Sequence, residues 1–162
     1  MDQFDPITFK ECVGSTIGLA TQNQGKIREF EILLDSNLHI MTPGPGLLDP
    51  DETEDSFTGN AQLKANYYHQ FFECPVLSDD SGLVIPVLNG APGVHSARWA
   101  GQNRNFLDAI TRIQNALSDI GLESHSVSAY FVCALVLMLP CGTCWTSTGT
   151  VSYTHLTLPT KA

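Results

Sequence analysis

The stretch at residues 77–98, LSDDSGLVIPVLNGAPGVHSAR, constrains the fold most, because it sets two adjacent acids between apolar runs. One apolar run ends just before the polar sequence Asp79-Asp80-Ser81-Gly82, and a second begins just after it. A carboxylate is costly to bury inside a sheet. The pattern therefore predicts that one buried strand stops at the acids and the next begins after them. Carboxylates at strand ends can hold a divalent cation or orient a water, and a plain polar turn is the alternative interpretation.

The N-terminal part of the chain has the order strand, turn, helix. Residues 15–20 are apolar and suit a first buried strand. A turn over residues 21–26 follows, and apolar residues then recur at helical spacing: Ile27, Phe30, Leu33 and Leu34. This order gathers backbone N–H groups and a helix N-terminus around an anion, and Lys26 can add a point charge on a phosphate. An ordinary strand-to-helix loop is the alternative, since the turn is neither a Walker P-loop nor G-x-G-x-x-G.

Residues 49–55, hereafter the acidic segment, carry five acids in seven positions. Most such runs are simply solvated. Here a predicted amphipathic helix follows directly, with apolar residues at helical spacing: Phe57, Ala61, Ala65, Tyr68 and Phe72. Asn60 and Lys64 lie four residues apart, so they project from one face of that helix. The acids are therefore expected near the helix N-terminus, beside a cation.

The remaining patterns predict an α/β fold. Strands are expected at three further places, residues 39–42, 126–139 and 145–151, and a helix over residues 105–117. Strands and helices so interleaved predict a mixed central sheet with flanking helices and a substrate cleft. The chain shows no internal repeat and no linker, which favours one domain.

Charge and cysteine content exclude several classes of protein. Eight Lys and Arg against seventeen Asp and Glu give a net charge of −9, which disfavours a nucleic acid polymer as partner. The longest apolar run, residues 129–139, is too short to span a bilayer, and residues 1–10 do not read as a secretory signal. A cytoplasmic protein is therefore expected. The five cysteines include one lone C-x-x-C, Cys141 to Cys144, for which reduced thiols and a zinc or redox pair are the alternatives.

Taken together, these motifs resemble the inosine triphosphate pyrophosphatase family, which hydrolyses non-canonical purine nucleoside triphosphates such as ITP, dITP and XTP. Residues 77–98 match its central motif, and residues 20–26 match its A-T-x-N-x-G-K segment, which contacts the triphosphate. The resemblance implies hydrolysis to a nucleoside monophosphate and pyrophosphate with Mg²⁺ as cofactor. It also implies a homodimer with no membrane partner.

The resemblance assigns roles to particular residues. Glu52 and Asp80 would hold Mg²⁺, with Asp51 as the neighbouring candidate for the role of Glu52. Asp80 would also act as the base, a task that Asp79 or a metal-bound water would share. Lys64 joins Asp79 and Asp80 in the catalytic set. The substrate-binding set is Thr21, Gln22, Asn23, Gly25, Lys26, Asn60, Ser81 and Arg98.

The resemblance covers residues 17–151. The family's later Phe-Gly-Tyr-Asp-Pro and Ser-His-Arg segments have no match here, so residues 1–151 are predicted to form a C-terminally incomplete domain and residues 152–162 a non-family tail. On this interpretation the last part of the family fold is missing, and residues 132–139 would be left exposed. A catalytically impaired nucleotide-binding fragment, or an incomplete subunit that only self-associates, are the alternatives to an active enzyme.

Overall fold

A five-stranded sheet in the order β2-β1-β3-β4-β5 organises the fold. The strands are β1 (Thr16–Leu19), β2 (His39–Met41), β3 (Val76–Val84), β4 (Val127–Met138) and β5 (Cys144–Leu156). The helices are α1 (Gln24–Leu33), α2 (Phe57–Tyr68), α3 (Ser96–Trp99) and α4 (Phe106–Asp119). β1 pairs in parallel with β2 and β3. β4 and β5 are neighbours joined by a short turn, which requires them to be antiparallel. The sheet is therefore mixed, and the predicted α/β fold is confirmed.

The structure is a computed structural model that describes residues 11–34, 36–101, 105–122 and 126–156, with only the backbone described at 154–156. It divides into two compact units. The first runs through Asp79 and includes Ala134–Ser147, and the second comprises Asp80–Cys133 and the chain from Thr148 onward. A single domain over residues 1–151 and a tail over 152–162 stay predictions, and residues 157–162 lie outside the described residues. None of the described helices is long and apolar enough to cross a membrane.

The first strand and helix form where the apolar pattern predicts them. β1 buries Ile17 and Leu19, which pack with Ile27 of α1 and with Leu77 of β3. α1 begins after Asn23, whose side chain accepts a hydrogen bond from the N–H of Gly25 and so caps the helix. The strand–turn–helix order is confirmed, and it brings the turn at residues 20–23 to the end of β1 beside β3.

The predicted break at the paired acids is wrong. β3 runs without interruption from Val76 to Val84 and includes Asp79 and Asp80, which are 4% and 5% exposed. The expectation of a break rested on the cost of burying carboxylates. In the structure the ammonium group of Lys26 contacts Asp79, and the N–H of Ser81 donates to Asp80. These partners reduce the cost of burial, so the strand continues through the acids.

α2 packs through small residues and one tyrosine. Ala61 and Ala65 are fully buried against Val136 and Met138 of β4. The expectation that residues 132–139 would be exposed is therefore wrong: Val132, Ala134, Val136, Leu137 and Met138 are all buried. Val136 and Met138 are covered by the two alanines of α2, whereas Leu137 packs with Ile17 and Leu19 of β1.

Tyr68 lies at the last turn of α2 and is fully buried. Its ring packs with Ala20, Phe72 and Val76, and its hydroxyl donates to Oδ1 of Asp49 at 2.5 Å. Burial, followed by the Asp49 carboxylate, raises the pKa of Tyr68 above its ordinary value of 10.0. The phenol therefore stays protonated, and a donor, over the whole neutral range.

The second unit has its own apolar cluster. Ile113 and Leu117 of α4 pack against Ile85, Val127 and Ala129. The predicted helix over residues 105–117 is confirmed, and Asn105 caps it through the N–H of Leu107. This cluster forms an apolar core within the second unit.

One prediction concerns the close approach at Gly18 of β1. A Cβ atom there would lie 2.7 Å from Cδ2 of the buried Phe72 ring, so Gly18→Ala should destabilise the chain by about 1–3 kcal/mol. Gly149→Ala, in β5, is the matched control because no atom lies within 4 Å of its Cβ. Urea unfolding measures both. The double variant Gly18→Ala/Phe72→Leu should lose less stability than the sum of the losses in the two single variants. Losses that simply add would contradict the clash.

A second prediction concerns alkaline pH. Because the pKa of Tyr68 is higher in the folded state, the fold keeps a proton that the unfolded chain releases. Its contribution to the free energy of unfolding is thus constant below pH 10 and falls as the pH rises further. Tyr68→Phe should lose stability less steeply than the wild type above pH 10, as measured by urea unfolding. Tyr67→Phe is the control, and an unchanged slope in Tyr68→Phe would refute the assignment.

Candidate active site

The turn after β1 presents a helix N-terminus and a cation. Thr21 Oγ1 accepts from the N–H of Asn23 at 3.1 Å, and Asn23 Oδ1 accepts from the N–H of Gly25 at 3.0 Å. Lys26 follows in the first turn of α1. The positive end of the helix dipole and an ammonium group thus lie in one short segment, which favours an anion.

Lys26 is held by a carboxylate from β3. Its Nζ lies 2.5 Å from Oδ2 of Asp79, a contact between residues 53 positions apart in the sequence. Asp79 is almost completely buried, and its second oxygen, Oδ1, has no hydrogen-bond partner among the described residues. A buried, unpartnered carboxylate oxygen is unusual and points to a missing donor or cation.

A second lysine–carboxylate pair lies on α2. Nζ of Lys64 is 2.9 Å from Oε1 of Glu52 in the acidic segment. Lys64 is 7% exposed, although lysine is rarely buried without a partner. The structure thus brings together two residues that the sequence assigned separately, one to the metal and one to catalysis.

Two predicted substrate-binding residues contact the loop that contains the acidic segment. Asn60 is buried and its Oδ1 accepts from the N–H of Glu54 at 3.0 Å. The side-chain amide of Gln22 donates to the carbonyl of Leu47. Both side chains therefore hold backbone of the same loop, and their predicted contact with substrate stays a prediction.

Sequence reasoning missed the polar role of Tyr68. The helical spacing assigned Tyr68 to the core, where its ring does lie, but its hydroxyl binds Asp49 of the acidic segment. A signal was present, because Tyr68 continues the four-residue spacing of Asn60 and Lys64.

The other predicted site residues belong to the second unit. Oδ1 of Asp80 accepts from the N–H of Ser81 at 2.9 Å, within β3. Arg98 is exposed on α3, and its carbonyl accepts from the guanidinium of Arg112 at 3.4 Å. The roles predicted for these three residues, Asp80, Ser81 and Arg98, stay predictions.

The carboxylates suit a hard cation such as Mg²⁺. In the described ranges, no three His, Cys, Asp or Glu side chains are grouped so that they would hold a metal ion by themselves. Mg²⁺ is commonly bound by one or two carboxylates together with substrate phosphates, so a smaller donor set suffices. Oδ1 of Asp79 has no hydrogen-bond partner among the described residues, so this carboxylate oxygen of the first unit is available to a donor or a cation. The residues present therefore fit Mg²⁺ carried with a phosphorylated ligand.

The C-x-x-C cysteines have separate partners. The thiol of Cys141 contacts the hydroxyl of Thr143, and the thiol of Cys144 contacts Oε1 of Gln62 on α2, both at 3.4 Å. The Thr143 contacts lower the pKa of Cys141, whereas burial raises the pKa of Cys74. All five cysteines are free thiols in the structure.

Comparison with known proteins gives consistent matches. Residues 17–156 match the Ham1 family, slightly beyond residue 151, where the predicted resemblance ends. A dITP/XTP pyrophosphatase from Caulobacter vibrioides is 41% identical over 131 residues, 80% of this chain and 66% of the relative. One from Legionella pneumophila (strain Paris) is 45% identical over 120 residues, 74% of this chain and 61% of the relative. The chain thus spans less than two thirds of the length of these curated relatives.

Solved structures match as well. A HAM1 protein from Coxiella burnetii superposes with a TM-score of 0.73 at 33% identity. The superposition covers 85% of this chain and 71% of the Coxiella chain. The Staphylococcus aureus Ham1 protein gives a TM-score of 0.71 at 33% identity. This superposition covers 85% of this chain and 70% of the Staphylococcus chain. The resemblance found in the motifs is confirmed, and the chain belongs to the Ham1 family.

Proposed function

We propose that the chain hydrolyses non-canonical purine nucleoside triphosphates, such as ITP, dITP and XTP, to a nucleoside monophosphate and pyrophosphate, with Mg²⁺ as cofactor. Family membership and relatives named dITP/XTP pyrophosphatases support the reaction class. The observation that carries the proposal is the pair of contacts Lys26–Asp79 and Lys64–Glu52, in a unit that also contains the α1 N-terminus. Cations and carboxylates in such pairs suit a ligand that brings both phosphate and metal.

Charge exchange explains why the lysines rest against carboxylates. In the free protein each lysine neutralises an acid in a low-dielectric setting. When a metal–triphosphate binds, Lys26 and Lys64 would turn to phosphate oxygens, and Glu52 would turn to the cation. Each lysine would thus keep an anionic partner. Thr21, Asn23 and Gly25 shape the turn that presents the α1 N-terminus to the same phosphates.

The catalytic roles follow the family resemblance. Glu52 and Asp80 would hold Mg²⁺, which when bound neutralises charge that develops on the phosphates. Asp80, or Asp79 beside it in β3, would accept a proton from the attacking water. Ser81, Arg98, Gln22 and Asn60 complete the proposed substrate contacts.

Titration calorimetry with ITP and with ATP, both with Mg²⁺, run beside a pyrophosphate-release assay, tests the proposal. Binding with release of pyrophosphate is expected. If a nucleotide binds but no pyrophosphate is released, the chain is a nucleotide-binding protein and not a hydrolase. If neither nucleotide binds, the proposal is overturned. Light scattering in the same buffer tests the accompanying expectation of a homodimer.

The setting of the protein is part of the proposal. We place it in the cytoplasm, with a small nucleotide as its ligand and neither a nucleic acid polymer nor a membrane as a partner. The net charge of −9 supports the exclusion of a polyanion, because only a few local cations offset it.

Neutralising the lysines gives a third prediction. Lys64→Gln and Lys26→Gln should each lower the rate of pyrophosphate release by on the order of 10²-fold, since each removes a preorganised charge aimed at phosphate. Arg28→Gln is the matched control, because Arg28 is exposed on α1 and its guanidinium donates to the carbonyl of Gln24 in the same helix. Steady-state kinetics and circular dichroism are measured on all three. Loss of the folded circular dichroism signal in a lysine variant would trace its lower rate to unfolding, and a folded lysine variant with the rate of Arg28→Gln would contradict the phosphate role.

Removing the proposed metal ligands gives a fourth prediction. Glu52→Gln and Asp80→Asn should abolish turnover and raise the Mg²⁺ concentration needed for binding, because each removes one negative ligand charge. Glu54→Gln is the matched control, since its side chain is exposed in the same acidic segment. Turnover and calorimetric nucleotide binding are each measured against Mg²⁺ concentration. If Asp80→Asn kept the Mg²⁺ dependence of the wild type, Asp80 would not be a metal ligand.

A further inference from the structure

One face of α2 carries three polar residues at four-residue spacing, Asn60, Lys64 and Tyr68, hereafter the α2 stripe. All three are buried, at 1%, 7% and 0% exposure. Each sends its polar group to the acidic segment: Asn60 to the N–H of Glu54, Lys64 to Glu52, and Tyr68 to Asp49. Along α2 the partners run backward through the segment, so the segment lies antiparallel to the helix in a defined register.

The acidic segment has no regular structure of its own. Residues 42–56 form neither helix nor strand, so side-chain contacts must hold the segment in place. The approach is close at one end, where a Cβ at Gly59 would lie 2.8 Å from Cβ of Glu54. Just before the segment, the amide of Gln22 binds the carbonyl of Leu47.

We infer that Tyr68 and Asp49 are positioning residues, whose hydrogen bond anchors the acidic segment on α2 and so sets the position of the Glu52 carboxylate. The role of Glu52 rests on the proposed function, whereas the anchoring does not. The bond is suited to the task, because the phenol is a protonated donor and the carboxylate is a strong acceptor. Glu52 lies between Asp49 and Glu54, so the contacts at both ends fix it from two sides.

The alternative is that Tyr68 only fills the core. Its ring packs with Ala20, Phe72 and Val76, and Tyr68→Phe keeps that ring while removing the hydroxyl. Tyr67→Phe removes a hydroxyl from the adjacent residue, whose ring contacts Tyr68 and Phe71, and is the matched control. Asp49→Asn keeps an acceptor for Tyr68, whereas Asp49→Ala removes it.

Hydrogen–deuterium exchange of residues 47–55, in protein free of metal and nucleotide, tests the anchoring. Tyr68→Phe and Asp49→Ala should speed exchange of the Glu54 amide by roughly fivefold or more, as expected for one lost hydrogen bond. The double variant should exchange no faster than either single variant, and Tyr67→Phe should match the wild type. Asp49→Asn, whose amide is a neutral and weaker acceptor, should lie between the wild type and Asp49→Ala. Unchanged exchange in Tyr68→Phe, or additive effects in the double variant, would overturn the anchoring.

The Mg²⁺ dependence of pyrophosphate release tests the link to Glu52. In Tyr68→Phe and Asp49→Ala the Mg²⁺ concentration for half-maximal rate should rise several-fold, with a smaller change in KM for nucleotide measured at saturating Mg²⁺. Asp49→Asn, which keeps a neutral acceptor, should give a value between those of the wild type and Asp49→Ala. An unchanged Mg²⁺ dependence beside faster exchange would overturn the positioning role. A wild-type protein that releases no pyrophosphate would instead overturn the proposed function, while the exchange experiment still decides the anchoring.

Discussion

The ion pair between Lys26 and Asp79 is the contact on which the first unit depends. It places a cation against a carboxylate that β3 carries deep inside the sheet. Removing one partner of such a pair leaves an uncompensated buried charge, which typically costs about 3–5 kcal/mol. The pair also joins the turn after β1 to β3, the two strands that pair in parallel at Gly18–Val76 and Leu19–Leu77. One contact therefore supports both the sheet and the proposed phosphate site.

The same pairing reconciles an acidic protein with an anionic ligand. The chain has only eight Lys and Arg against seventeen Asp and Glu, yet two of the lysines lie against carboxylates in the first unit. A free triphosphate would meet neutralised lysines and nearby negative charge. A triphosphate that carries Mg²⁺ would offer phosphate oxygens to both lysines and a cation to Glu52. For the proposed nucleotide ligand, these pairs would therefore favour the metal complex over the free nucleotide.

The sequence predicts local structure well where the signal lies within one element. β1, α1, α2, α4 and β4 all lie where apolar spacing places them. The break expected at Asp79 was wrong because the cation that permits burial, Lys26, lies 53 residues away in the sequence. The exposure expected for residues 132–139 was wrong for a similar reason, since Val136 and Met138 are covered by alanines of α2 and Leu137 by residues of β1. Periodicity identifies which faces are apolar, but it does not identify their partners.

Tyr68 shows why core and site cannot be separated on α2. Its ring stacks on the ring of Phe72, with the two ring centroids 6.3 Å apart. Its hydroxyl donates to the exposed carboxylate of Asp49, at the start of the acidic segment. A phenylalanine would satisfy the core, and a shorter polar residue would not reach through it. A neutral phenol is compatible with an apolar setting and still donates, and burial raises the pKa of Tyr68, which favours this neutral form further. A change in core packing around Tyr68 would therefore be transmitted to Glu52 through the segment that Tyr68 anchors.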